Sequence, residues 1–203
     1  MGITAGQFQA MKRRLGGAPR AAQPVLEWAS GGMSGAPPGI ILGIDPSLRG
    51  TGYGVVRLGK PGPVALAQGT IRCPAQWVRS RCLVRIGQTI RDIIQAHRPT
   101  VCVVEGLFFA QNLQTAILMG EARGASLLAA AEAGLEIYEI APRKVKQAIV
   151  GYGAAQKLAV AKMAQRLLQL SSLPEPDAAD ALALTLAFAQ ERGRLAWAPL
   201  KRI

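Results

Sequence analysis

Histidine is almost absent from this chain, cysteine is rare and acid is scarce. Its 203 residues include one His, three Cys and 12 Asp plus Glu, against 24 Lys plus Arg. Cys73, Cys82 and Cys102 are odd in number and form no CxxC pair, which argues against a disulfide framework or a thiolate zinc site and fits a reducing compartment. The lone His97, in "IIQAHRPT", falls where a helix is predicted to end and reads as a capping residue rather than a ligand. No uninterrupted apolar run approaches the roughly 18 residues of a membrane span, so the chain reads as soluble, with no membrane partner.

Positive charge is plentiful. The formal net charge is +12 and the isoelectric point is near 10.5, a balance that favours a polyanionic partner, most often nucleic acid. Against that background the acids stand out. The chain has four aspartates, and three of them, Asp45, Asp177 and Asp180, sit in apolar surroundings.

Residues 1–38 are a Gly, Pro, Ala and Arg mixture with four Lys or Arg against one Glu, read as a disordered basic extension. Their Arg-rich start also suits an organelle transit peptide, and Met33 is an alternative true beginning. Residues 39–191 form the expected domain and 192–203 a basic C-terminal tail. Within the domain, "IILGIDP", "TGYGVVRL" and "VALAQGTIRC" read as strands punctuated by Gly and Pro. "WVRSRCLVRIGQTIRDIIQAH" reads as a helix with Val84, Ile86, Ile90, Ile93 and Ile94 on its apolar face. "TVCVVEG" is a short β-branched run suited to a central strand, followed by the helix "NLQTAILMGEARGASLLAAAEAG", the strand "EIYEIAP" and three further helical stretches. The order βββαβαβ and then helices implies an α/β domain with a mixed five-stranded sheet flanked by helices.

Asp45 and Glu105 each close a short apolar strand at its C-terminal end, where open α/β sheets place their sites. If those strands are neighbours the two acids lie side by side, because adjacent strands run about 4.8 Å apart. Asp177 and Asp180 share one face at the start of a helix. Two like charges about 4 Å apart cost on the order of 4 kcal/mol at an effective dielectric of 20, so convergence calls for a counter-charge. Carboxylates without nearby Cys or His suit Mg²⁺ or Mn²⁺, and a pair of such ions clamps the attacking and leaving oxygens in phosphodiester hydrolysis. Each acid taken alone also has a plainer reading. Asp177 and Asp180 resemble a capping box, and Asp45 before Pro46 opens an Asx-type turn. Gly50, Gly52 and Gly54 fit neither GxGxxG nor GxxxxGK[ST]. They read as a tight turn between two strands, or as a place where backbone approaches a phosphate.

Taken in order, "GIDPSLRGTGYGVV", "VVEGLFFAQN", "MGEARGASLLAA", "RKVKQAIVGYGAAQK" and "PDAADALALTLA" resemble the RuvC family of bacterial Holliday-junction resolvases over about residues 40–190. The resemblance implies a ribonuclease H-like fold, a homodimer, a bacterial cytoplasmic protein, and Mg²⁺-dependent cutting of two opposed strands at a four-way DNA junction, with Mn²⁺ as a substitute and two metal ions per site. It places the family's metal-binding and catalytic acids on Asp45, Glu105, Asp177 and Asp180, the same four that the charge argument selects. It places basic catalytic-loop positions on Lys157 and Lys146, the latter as a DNA contact, and a junction-contacting aromatic on Phe108. It also implies work alongside the RuvA and RuvB branch-migration proteins, for which no docking motif is visible. The helix carrying Leu113, Ile117, Gly120, Gly124, Leu127 and Leu128 suggests a close helix contact at a two-fold interface. Its alternative is a plain core helix.

Other function classes remain to be weighed. Actin-like and sugar-kinase ATPases often begin with a similar "GID" strand, but they need a second phosphate loop and a longer, two-lobed chain. A catalytically silent junction-binding module would use the charge alone. A related nuclease acting on structured RNA is the nearest alternative.

Overall fold

The computed structural model describes residues 39–106, 113–193 and 201–203. The proposed extension 1–38, most of the tail and Phe108 lie outside the described residues. The elements run β1 (Ile40–Asp45), β2 (Gly50–Arg57), β3 (Val64–Arg72), α1 (Arg79–His97), β4 (Val101–Glu105), α2 (Leu113–Glu132), β5 (Glu136–Ile140), α3 (Pro142–Val150), α4 (Lys157–Leu167), α5 (Pro176–Gly193) and β6 (Lys201–Arg202). They form one mixed sheet in the order β3-β2-β1-β4-β5-β6. β1 is antiparallel to β2 and parallel to β4, which is parallel to β5.

The order βββαβαβ followed by helices is the one read from the sequence, but the sheet has six strands rather than five. The sixth is two residues long, too short to leave any periodic signal. It is held against β5 by ion pairs from Lys201 to Glu139 and Arg202 to Glu136, each 2.8 Å.

Strand parity sorts the core into two layers. Ile41, Val101 and Val103 pack with Leu182, Leu186 and Phe188 on the side covered by α3, α4 and α5. Leu42, Ile44, Cys102 and Val104 pack with Ile86, Ile90 and Ala130 on the side covered by α1 and α2. The residues that alternate with Ile44 and Val104 therefore face α5, and these include Gly43, Asp45 and Glu105. Parity alone aims both acids at one helix.

Helix α5 is buried nearly all round, from Ala178 to Ala189, and it rests directly on β1 and β2. Glycine makes this approach possible. A methyl group on Gly43 would run into the Ala181 carbonyl, one on Gly52 into the Asp177 carbonyl, and one on Gly54 would lie 2.7 Å from Leu182 Cδ2. The glycines of "GTGYG" thus lie inside β2 on its α5-facing side, not in the turn that the sequence suggested. Two residues apart, they clear a track along one strand face.

On the opposite layer, α1 buries Cys82, Ile86, Ile90 and Ile93, while Val84, expected on that face, is exposed. The chain turns out of α1 through Arg98 in the left-handed region, whose N–H bonds to the Ile94 carbonyl. No helix among the described residues is long and apolar enough to cross a membrane.

Candidate active site

Two strand ends and two helix starts supply the site. The parallel register pairs Ile44 with Val104, so the next residues, Asp45 and Glu105, stand side by side and share a side-chain hydrogen bond. Pro46 ends β1 there, and the loop beyond is held in place. The Thr51 hydroxyl donates to the Ser47 carbonyl at 2.6 Å, and Arg49 donates to the Pro74 and Trp77 carbonyls at 2.6 and 3.1 Å.

The first turns of α5 and α4 complete the group. Asp180 projects from α5 and accepts a hydrogen bond from Lys157 Nζ at 2.9 Å, and Lys157 is the first residue of α4. Asp177, one turn earlier, places its Oδ2 over Gly50, 2.9 Å from where a methyl group on that glycine would be. Gly50 and Gly52 thus give Asp177 its seat, and through it fix Asp180.

The electrostatics are those of a site short of positive charge. Burial is the main cause of two raised carboxyl pKa values, Glu105 to about 8 and Asp45 to about 6. Asp180 raises both further, and the hydrogen bond between the pair raises Glu105 while it lowers Asp45. Lys157 offsets part of this excess. Its own pKa is raised, first by the bond to Asp180 and also by Asp45 and Glu105.

Of the expected residues, Asp45, Glu105, Asp180 and Lys157 are in mutual electrostatic contact, and Asp177 acts on Asp45 more weakly than the others do. Among the described residues, no three Asp, Glu, His or Cys side chains are already spaced as a closed metal cage. The acids stand instead as a hydrogen-bonded pair, Asp45 with Glu105, and an ion-paired Asp180. A hard divalent cation fits this donor set, because every candidate ligand is a carboxylate oxygen and a cation would offset the like charge that raises the Asp45 and Glu105 pKa values.

The family described as crossover junction endodeoxyribonuclease RuvC matches residues 41–188. The chain belongs to the RuvC family. A relative named crossover junction endodeoxyribonuclease RuvC from Heliobacterium modesticaldum is 46% identical over 151 residues, 74% of this chain and 93% of the relative. One of the same name from Akkermansia muciniphila is 47% identical over 146 residues, 72% and 87% of the two chains. Among solved structures, Thermus thermophilus RuvC in complex with Holliday junction substrate superposes with a TM-score of 0.73 at 33% identity, covering 81% of this chain and 99% of that one. The ribonuclease H-like architecture expected from the sequence is the fold of these RuvC structures.

Of the remaining RuvC-type positions, Phe108 lies outside the described residues and Lys146 stands apart from the acids. Lys146 lies half-buried in α3, which packs on α5, and it does not join the Lys157–Asp180 pair. Two features escaped the sequence reading. Gly43 was not singled out, although its position in the track under α5 follows from strand parity with Asp45. Arg123 was not singled out either, yet it is only 7% exposed. The signal was present in "GEARGASLLAA", where one arginine stands among small and apolar residues.

Proposed function

We propose that this chain is a structure-selective endonuclease that resolves four-way DNA junctions by divalent-metal-dependent hydrolysis of phosphodiester bonds in two opposed strands. The observation that carries the reading is the meeting of Asp45, Glu105 and Asp180 with Lys157 at the strand ends of a RuvC-family fold. A RuvC 33% identical to this chain, solved with a Holliday junction substrate, supports the choice of DNA.

Asp45, Glu105, Asp177 and Asp180 would hold two Mg²⁺ ions, or Mn²⁺ in their place. Bound there, such ions supply Lewis-acid polarisation of the phosphate and an activated water. The protein's own contribution is positioning and charge. Burial raises the proton affinity of the acid pair, so a cation binding there would displace a proton to solvent. Lys157, 70% exposed at its side chain, is free to swing from Asp180 toward a phosphate oxygen and stabilise the charge that develops there. Lys146 reaches backbone phosphates, and Phe108 stacks on a base where the junction opens. The products carry 5′-phosphate and 3′-hydroxyl ends.

The second copy is supplied through α2. Leu113, Ile117 and Leu128 are exposed on it, and Gly120 and Gly124 have nothing within 4 Å of a methyl group placed on them. These positions, spaced three and four apart, make one apolar helix face with room for close approach. A homodimer through this face sets two sites symmetrically on a branched substrate. The protein works in the bacterial cytoplasm, where its three buried cysteines stay reduced, alongside the RuvA and RuvB branch-migration proteins.

The test is incubation with a synthetic four-way junction and Mg²⁺, with the nicks mapped. Paired symmetric nicks are expected. Asp45→Asn should lose at least about a hundredfold in nicking rate while binding the junction in Ca²⁺ as before. Robust cutting by that variant, or preferential cutting of branched RNA in competition, would overturn the reading.

A further inference from the structure

A buried arginine ties α2 to the strand end that bears Glu105. Arg123 donates from Nη1 to the Glu105 main-chain carbonyl at 2.5 Å and from Nη2 to Glu139 Oε2 at 2.5 Å. The other Glu139 oxygen accepts from Lys201 Nζ at 2.8 Å. Gly106, the next residue along, leaves room for this pair, since a methyl group on it would lie 3.3 Å from Glu139 Cγ. Its N–H meanwhile bonds to the Ile140 carbonyl at 2.9 Å. The C-terminal end of β4 is therefore gripped from both sides, by β5 through the N–H of Gly106 and by α2 through the carbonyl of Glu105.

We infer that Arg123 is a positioning residue, which fixes the Glu105 main chain so that its carboxylate is held beside Asp45 to receive a divalent cation. The inference rests on Glu105 being part of the proposed metal site. The planar fork of an arginine reaches two acceptors at a fixed angle, and here they are the backbone of a site residue and a carboxylate on the neighbouring strand. If stability alone were at stake, an apolar side chain of similar volume would serve as well or better, because a buried ion pair returns little beyond its desolvation cost. The guanidinium supplies an orientation that an apolar side chain lacks. It also carries that orientation from α2, the helix that bears the exposed apolar face.

The experiment uses the full chain and the double variant R123M/E139Q, which leaves no unpaired buried charge behind, together with R123K. Binding of Mn²⁺ to the protein alone is followed by electron paramagnetic resonance, and junction nicking is measured as a function of Mg²⁺. Groups that orient metal ligands are worth about 10-fold or more in metal affinity. The double variant should therefore bind Mn²⁺ about 10-fold more weakly and need correspondingly more Mg²⁺ for half-maximal nicking, with most of the rate recovered at saturating Mg²⁺. R123K, with one ammonium for two acceptors, should fall between the two. A double variant that is folded and retains the wild-type Mn²⁺ affinity and Mg²⁺ midpoint overturns the inference. So does a loss of rate that tracks a lower melting temperature with no change in midpoint. If the wild-type chain itself neither binds Mn²⁺ nor cuts, it is the metal-site reading that has failed instead.

Discussion

Helices α5 and α2 are alike in sequence, both long, alanine-rich and apolar over several faces, yet their surroundings differ completely. α5 is enclosed from Ala178 to Ala189, while α2 leaves Leu113, Ile117 and Leu128 in water. The reason lies in what each helix is offered. For α5 the sheet provides a track of bare strand at Gly43, Gly52 and Gly54 and flanking helices on both sides. For α2 the chain provides one layer beneath and leaves its own glycines, Gly120 and Gly124, facing open space. Glycine has opposite meanings in the two places. In the sheet it marks a contact already made within the chain, and in α2 it leaves open space that the proposed second copy would fill.

The largest effect expected from breaking this difference is at Gly52. In Gly52→Ala the new methyl group meets the Asp177 carbonyl, which is main chain and has no rotamer to change. The start of α5 must shift, carrying Asp177 and Asp180 away from Asp45. Overpacking of this kind costs typically 1–3 kcal/mol, so about that loss is expected in urea unfolding. The nicking rate should fall about a hundredfold or more, as misplacement near 1 Å does elsewhere. The same substitution at Gly124, measured alongside, meets nothing and should raise the stability of an isolated subunit by roughly 0.5–1 kcal/mol. Equal effects at the two positions would mean that the two helices are not distinguished by their glycines.

Ile117→Asp tests the other half. Ile117 is exposed in the single subunit, so the folded stability of that subunit should change by no more than about 0.5 kcal/mol. A carboxylate buried between two apolar helix faces should instead weaken the dimer by on the order of 2 kcal/mol or more, about 30-fold in dissociation constant. Sedimentation should show monomers at micromolar concentration, and junction cutting should change from paired to single nicks. A dimer of wild-type strength would place the interface elsewhere.

How much of this was legible in the sequence depended on periodicity. The ends of short apolar strands and the three-residue helix spacing located Asp45, Glu105, Asp177 and Asp180 at element ends, whereas the helix that the strand acids face is known only from which layer covers each side of the sheet. The sequence did not show why the strand glycines recur every second residue, because a helix packed across a sheet leaves its mark as missing side chains and not as a pattern of its own. Arg123 was illegible for a different reason. Its partners, the Glu105 carbonyl and Glu139, lie on two strands whose neighbouring arrangement is known only once the sheet order is known. β6 was invisible because two residues held by cross-strand ion pairs have no hydrophobic signature. The helix α2 was read as an interface helix or a plain core helix, and it packs Ala122, Ala129 and Ala130 into the core while exposing Leu113, Ile117 and Leu128.

The smallest effect separates the two layers by charge. The acid pair lies under α5, whereas the α2 face is apolar and carries no titrating group of its own. Glu105 and Asp45 have folded-state pKa values of about 8 and about 6, raised above ordinary carboxyl values chiefly by burial. A raised carboxyl pKa means that the folded protein holds a proton the unfolded chain has released, so the associated stability is full below about pH 4 and declines as pH rises toward 8. Because the two groups titrate as a coupled pair, the loss belongs to the pair and is not the sum of two separate shifts. Metal-free protein should thus melt at lower temperature at pH 8 than at pH 5, and Mg²⁺ should restore more stability at pH 8, where the proton is already gone. Asp45→Asn removes the like charge and should flatten the slope, whereas Ile117→Asp, on the other layer, should leave the contribution of the acid pair unchanged. A slope that survives Asp45→Asn intact would place the titrating group outside this pair.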